Sequence, residues 1–89
     1  MVDITNAKQR RTLESIFEDV PPKNVLWRDV VSLFEHLGYR MYGMGGSRFC
    51  FEKDGVAPYH VHKPHPSKHL LPVAVKDLKR YFERIGVAP

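Results

Sequence analysis

Two histidines separated by one residue, His60 and His62, are the most chemically suggestive feature of the sequence. They lie in a segment in which apolar and polar residues alternate, as in a β-strand with one buried face. A second alternating segment, residues 48–52, carries Arg48 and Cys50 at its polar or small positions. Imidazoles transfer protons near neutral pH, and a guanidinium can bind phosphate through two parallel hydrogen bonds. Together such groups could bind RNA and assist attack by a 2′-hydroxyl group.

The alternation also predicts which side chains share a face of the sheet. We expect Phe49, Phe51, Tyr59 and Val61 to point into the core. The outward face then carries the remaining four side chains, namely Arg48, Cys50, His60 and His62. A hairpin turning near Gly55 would place Arg48 opposite His62, and Cys50 opposite His60. A slip of one residue would exchange the two faces, so the whole site depends on this register.

Positive charge is concentrated in the same half of the chain. The formal net charge is +4, and residues 60–89 contain six lysines and arginines against two acidic residues. Among them, Lys63, His65, Lys68 and His69 follow directly after the histidine pair. A basic cluster of this kind is suited to RNA phosphates or to an acidic protein surface.

Two other interpretations of the histidines stay open. Strand histidines often lie on a solvated face with no further role. Zinc is the other competitor, since His60, His62, His65 and His69 are closely spaced and imidazole is a common zinc ligand. The intervening prolines turn His65 and His69 in different directions, and no Cys-x-x-Cys pair accompanies the histidines. Neither a metal nor another cofactor is therefore expected.

Three amphipathic helices are predicted around these strands. Residues 7–20 form the first, which ends where Pro21 and Pro22 interrupt the hydrogen-bond ladder. The second ends at Gly38, and the third covers residues 72–85 and ends at Gly86, since glycine favours the left-handed conformation of a helix cap. Their apolar stripes are Leu13, Ile16, Phe17 and Val20; Val30, Leu33, Phe34 and Leu37; and Val75, Leu78, Phe82 and Ile85.

The strands, predicted over residues 39–42, 48–52 and 59–62, are joined by short turns and should form an antiparallel meander. The expected fold is α+β, with the helices on one face of a three-stranded antiparallel sheet and the other face open. One core should bury the helix stripes against the sheet, and its central members should be Val30, Leu33, Phe34, Phe49, Phe51, Val61, Leu78 and Phe82.

Length and composition favour one small cytoplasmic domain over residues 1–89. The single cysteine argues for a reducing compartment. No stretch approaches the ~20 apolar residues that span a bilayer, so no membrane partner is expected. Residues 1–11 are too polar for the core of a signal peptide.

Three segments together resemble the HicA toxin family, the messenger-RNA interferases of HicA–HicB toxin–antitoxin systems. They are Gly46-Ser47-Arg48 at the start of a strand, residues 62–66 (His-Lys-Pro-His-Pro), and the helix around residues 74–78 that ends at Gly86. The resemblance covers residues 27–87 and leaves the helix over residues 7–20 as an accessory element of one subgroup. It implies a fold like that of double-stranded-RNA-binding domains, a metal-independent endoribonuclease activity, and neutralisation by an acidic HicB-like antitoxin.

One position departs from the family pattern. Typical members carry the histidine that cleaves RNA one or two residues after Gly-Ser, where this chain has Arg48 and Phe49. Arginine stays charged and cannot act as a base, although it can bind phosphate. If cleavage survives, His62 is the expected base and His60 its substitute, with Arg48 on the phosphate. The expected RNA-binding residues are Ser47, Arg48, Lys63, His65, Lys68 and Lys76.

The same basic face would also serve a protein that binds RNA or a partner protein without cutting RNA. A small metal-binding protein built on the histidines is the third hypothesis. Metal-free cleavage of RNA distinguishes the first hypothesis from the second, and zinc content distinguishes the third.

Overall fold

The computed structural model describes residues 6–89, in which three helices and three strands follow the predicted order. The helices are α1 (Ala7–Ile16), α2 (Trp27–His36) and α3 (Pro72–Ile85), and the strands are β1 (Arg40–Gly43), β2 (Arg48–Glu52) and β3 (Tyr59–His62). The α+β class is confirmed. The expectation that the N-terminus is not a signal peptide rests in part on residues 1–5, which lie outside the described residues.

The three strands form one antiparallel sheet in the order β1-β2-β3, so the predicted meander is confirmed. Arg48 lies opposite His62, and Cys50 lies opposite His60, which is the register expected from the alternation. On the other side of the central strand, Met41 of β1 pairs with Phe51.

The core is organised around Phe34 of α2. Its ring stacks on that of Phe51, with centroids 4.1 Å apart and planes 6° from parallel. The ring of Phe82 from α3 lies 5.3 Å from Phe34, and that of Tyr59 lies 5.9 Å from it. The predicted core is confirmed for six fully buried members, namely Val30, Leu33, Phe34, Phe51, Leu78 and Phe82, and Val61 packs against them as a partly buried side chain.

Phe49 is the exception among the expected core residues. It is only partly buried, and its ring lies 5.6 Å from that of Trp27 at the margin of the core. Its position near the end of the sheet, one residue from the start of β2, explains why the helices cover it incompletely. Tyr39, by contrast, is buried although it is not among the expected central core residues. It precedes β1, and its hydroxyl lies 2.9 Å from that of Tyr81.

Helix α1 packs on α2 and α3. The side chain of Asn6 caps it by accepting hydrogen bonds from the backbone N–H groups of Lys8 and Gln9. Leu13 and Ile16 are fully buried. The side-chain amide of Gln9 donates to the hydroxyl of Ser32 at 2.6 Å, so α1 is tied to α2 by a polar contact as well as by apolar burial.

The predicted end of the first helix is wrong by four residues. The helix stops at Ile16, and Val20 is 79% exposed although it continues the apolar stripe. A residue that precedes proline is sterically disfavoured in the helical conformation, and Val20 precedes Pro21. The chain therefore leaves the helix before the stripe is complete.

Helix α3 ends as predicted, with Gly86 as its cap at a φ angle of 81°. Helix α2 ends at His36 with Leu37 as its cap, one residue before Gly38, which adopts a φ angle of 89°. The ammonium group of Lys53 donates a hydrogen bond of 2.7 Å to the carbonyl of Leu37, which further satisfies the end of α2. Among residues 6–89, no helix has the length and apolar content needed to cross a membrane.

Truncation of Phe82 to alanine should lower the free energy of unfolding by about 3–5 kcal/mol, because it empties a fully buried site beside Phe34. Urea denaturation followed by circular dichroism measures this loss. Val73→Ala on the same helix is the matched control, since Val73 is 71% exposed. Equal effects of the two substitutions would show that Phe82 is not central to the core.

Candidate nucleic-acid interface

The hydrogen-bond ladder between β2 and β3 continues one pair past the strand ends. The backbone N–H of Lys63 donates to the carbonyl of Ser47 at 2.7 Å. In an antiparallel ladder, hydrogen-bonded and non-hydrogen-bonded pairs alternate, so the neighbouring pair, Arg48 and His62, occupies a non-hydrogen-bonded position. Opposite residues come closest there, with Cα atoms about 4.5 Å apart. Both residues are exposed, so Arg48 and His62 lie opposite each other on the outward face.

Arg48 is held in place by the turn between β1 and β2. One Nη atom of its guanidinium donates to the carbonyl of Met44 at 3.1 Å, and the N–H of Met44 donates to the carbonyl of Arg48 at 2.9 Å. Gly45 and Gly46 make this turn possible, with φ angles of 93° and 59°. A guanidinium has five N–H donors, so this contact leaves several for an incoming phosphate.

His60 and Cys50 lie next along the same outward face. His60 is exposed, as expected, but Cys50 is only 4% exposed. The expectation that Cys50 is open on this face is therefore wrong, because its small side chain sits in the central strand between Tyr42 and His60. Burial raises the pKa of the Cys50 thiol, and the carboxylate of Glu52, 3.9 Å from Sγ, raises it further. A raised pKa lowers the fraction of thiolate, which makes Cys50 a poorer nucleophile.

The segment after β3 is fixed against the residues that precede α2. The N–H of Trp27 donates to the carbonyl of Lys68, and the N–H of Leu70 donates to the carbonyl of Val25, both at 2.9 Å. Leu26 and His69 form the isolated bridge between these two contacts. The basic residues of this segment are thus carried by a tethered loop.

A groove of about 450 Å³ runs along β3 and brings four histidines to its walls, namely His60, His62, His65 and His69. Tyr59 lies at its base and donates a hydrogen bond of 2.9 Å to Oδ2 of Asp77. Burial, and then the bond to Asp77, raise the pKa of Tyr59. No three His, Cys, Asp or Glu side chains within residues 6–89 are grouped so as to hold a metal ion, so the geometry lends no support to the zinc hypothesis.

A second groove, of about 510 Å³, contains Lys63, His65 and Lys68, three of the six expected RNA-binding residues. Ser47 and Arg48 adjoin it through the Ser47–Lys63 backbone contact. The structure thus places five of the six expected RNA-binding residues near one end of the sheet.

Lys76 is the expected RNA-binding residue that the structure places elsewhere. It lines a different groove, across α3, together with Glu18, Asp19 and Arg80. Because Asp77 faces Tyr59 of β3, the preceding residue points about 100° away around the helix. Lys76 therefore does not belong to the cluster at the end of the sheet.

Sequence reasoning missed Trp27 and Arg28, which line the second groove. Trp27 continues the apolar stripe of α2, since it lies three residues before Val30 and seven before Phe34. The pattern thus assigns it to the core, and only the tertiary structure shows that Trp27 also lines a groove.

Comparison with known proteins gives a match to a protein family. The family model described as the HicA toxin of bacterial toxin–antitoxin matches residues 27–87, which run from the start of α2 to the residue after the Gly86 cap. Helix α1 lies outside the matched range. No curated protein and no solved structure matches the chain.

The buried tyrosines should make the fold less stable at alkaline pH. A tyrosine whose pKa is raised in the folded state stabilises the fold below the unfolded pKa, about 10, and loses that contribution as the pH rises further. We therefore expect the free energy of unfolding to fall from about pH 10 upward. Tyr59→Phe should flatten this decline, because it removes the group that resists ionisation.

Urea midpoints measured between about pH 8 and pH 11 give this dependence. Tyr42→Phe is the matched control, because Tyr42 is 46% exposed. An equally steep decline in wild type and Tyr59→Phe would contradict the assignment.

Proposed function

The chain belongs to the HicA toxin family, and from that premise we propose that it binds RNA at this end of the sheet and cleaves it without a metal ion. The observation that carries the proposal is the direct pairing of Arg48 with His62 at a non-hydrogen-bonded position, where both side chains are exposed. One group binds phosphate and the other exchanges protons, which is the pair of functions that attack by a 2′-hydroxyl needs.

In the proposed reaction, Arg48 binds the non-bridging oxygens of the scissile phosphate. The neutral imidazole of His62 takes the proton of the 2′-hydroxyl, and the 2′-oxygen attacks phosphorus. The bond from phosphorus to the 5′-oxygen breaks, and that oxygen takes up a proton. His60, two residues earlier on the same face and so about 6.8 Å along the strand, is positioned to supply this proton or to replace His62 as the base.

The proposal extends to the rest of the chain and to its partner. Residues 1–89 act as one domain in which α1 shares the core through Leu13 and Ile16. The partner is a HicB-type antitoxin, as the family implies, and an acidic surface on it would cover Lys63, Lys68 and Arg48 and exclude RNA.

A second candidate function is RNA binding without cleavage. It is favoured by the residues after Gly46-Ser47, where Arg48 and Phe49 stand in place of the histidine that resemblance to the family leads one to expect. The same face would then hold RNA through its cations, with His60 and His62 as surface residues.

The proposed chemistry predicts that His62→Ala loses cleavage of a structured messenger RNA by at least about 100-fold in EDTA, because general-base catalysis contributes 10²–10⁴-fold. RNA affinity should stay within about threefold, because phosphate binding depends on the lysines and arginines. Gel analysis of labelled RNA measures the cleavage rate, and filter binding measures the affinity.

Three further variants are compared with His62→Ala. His60→Ala tests the second imidazole, and His36→Ala at the end of α2 is the matched histidine control, because His36 is exposed and lines neither groove. Arg48→His restores the histidine position of the family. An inert wild type with an active Arg48→His variant would establish the second candidate and refute cleavage by His62.

RNA affinity should fall steeply with salt, because phosphate contacts release counterions. Replacing Arg48, Lys63 and Lys68 by alanine should reduce the slope of log affinity against log salt by about 2 to 3. A control triple variant, Arg11→Ala, Lys23→Ala and Arg84→Ala, removes the same charge from exposed sites outside both grooves. If the two triple variants reduce the salt slope equally, RNA binding depends only on the net charge of the protein.

A further inference from the structure

The proposed chemistry uses neither Trp27 nor Arg28, although both border the second groove. The groove encloses about 510 Å³, a size typical of small-ligand sites. Its charged and ionisable lining residues are Arg28, Lys63, His65 and Lys68, and no carboxylate is among them. All three lysine and arginine side chains are exposed, so the groove is complementary to a polyanion.

Trp27 is the aromatic residue among those that line this basic groove. Its indole packs at 5.6 Å from the ring of Phe49 and at 6.2 Å from that of Phe51. These contacts hold the ring from the core side, and Trp27, which is half-buried, is among the residues that line the groove. A fixed indole beside a set of cations is the combination on which proteins stack single-stranded bases.

The groove adjoins the proposed cleavage site through one residue. His62 and Lys63 are consecutive, and both line the groove along β3, while Lys63 also lines the second groove. The backbone bond from Lys63 to Ser47 closes the end of the sheet between them. An RNA strand that crosses this end passes from the Arg48–His62 pair to the groove.

We propose that this groove binds one unpaired nucleotide of the RNA, with its base stacked on Trp27 and its flanking phosphates on Arg28, Lys63 and Lys68. The inference rests on the proposed function and specifies its substrate class. A base inside a duplex is already paired and stacked, so it cannot enter. The substrate therefore has a single-stranded nucleotide next to the scissile phosphate.

Trp27 is the only tryptophan of the chain, so its fluorescence reports on the groove without any substitution. The probe is a short single-stranded oligoribonucleotide, compared with a duplex of the same sequence and with an abasic oligomer of the same phosphate number. Binding of each is followed independently by anisotropy of a label on the RNA. The single strand should quench Trp27, while the duplex and the abasic oligomer should leave its emission nearly unchanged.

Substitutions give a second readout. Trp27→Leu should lower affinity for the single strand by about tenfold, the effect of losing one stacked base, while Trp27→Phe should retain most of it. Arg28→Ala should weaken binding, and Arg84→Ala on α3 is the matched control. Circular dichroism verifies that each variant is folded, because Trp27 also contacts Phe49 and Phe51.

The outcomes separate the two proposals. A single strand that binds without quenching Trp27, or an abasic oligomer that quenches it equally, would overturn the nucleotide site and leave cleavage by His62 intact. Quenching by the single strand in a protein that does not cleave would support the site and refute the cleavage step. If no RNA binds at all, both proposals fail, and the basic groove would then belong to an acidic protein partner.

Discussion

The contact between Phe51 and Phe34 is the constraint on which the rest of the structure depends. It buries one face of the central strand, and because side chains alternate, it directs Arg48 to the other face. A slip of one residue would drive Arg48 and His62 toward the core, and the desolvation of a buried guanidinium ion costs several kcal/mol. The apolar core therefore fixes the register that pairs the two residues, although neither belongs to it.

The strand pairing could be predicted from sequence because apolar and polar residues alternate along the strands with a period of two. The Arg48–His62 pair follows from that pattern alone once the turn near Gly55 is located. Features that depend on tertiary surroundings could not be predicted. Cys50 is covered by its cross-strand neighbours, and Lys76 is turned away because Asp77 faces β3. Trp27 fits a core stripe equally well whether or not it also lines a groove.

The proposed site combines rigid and tethered parts. Arg48 and His62 are placed by strands, whose backbone is fixed by the ladder, so the reacting groups have the smallest positional freedom. Lys63, His65 and Lys68 lie on a loop that is held by backbone contacts to Val25 and Trp27. Phosphate binding tolerates this looser placement because Coulomb attraction depends weakly on geometry, whereas proton transfer requires hydrogen-bond distance.

The end groups of RNA fragments produced in EDTA test the central claim most directly, because they record which oxygen attacked phosphorus. Attack by the 2′-hydroxyl beside Arg48 and His62 predicts fragments with 2′,3′-cyclic phosphate and 5′-hydroxyl ends, identified by mass spectrometry. It also predicts that 2′-O-methylated RNA binds but stays intact. Fragments with 5′-phosphate ends, cleavage of the methylated RNA, or bound RNA that is never cut would contradict it.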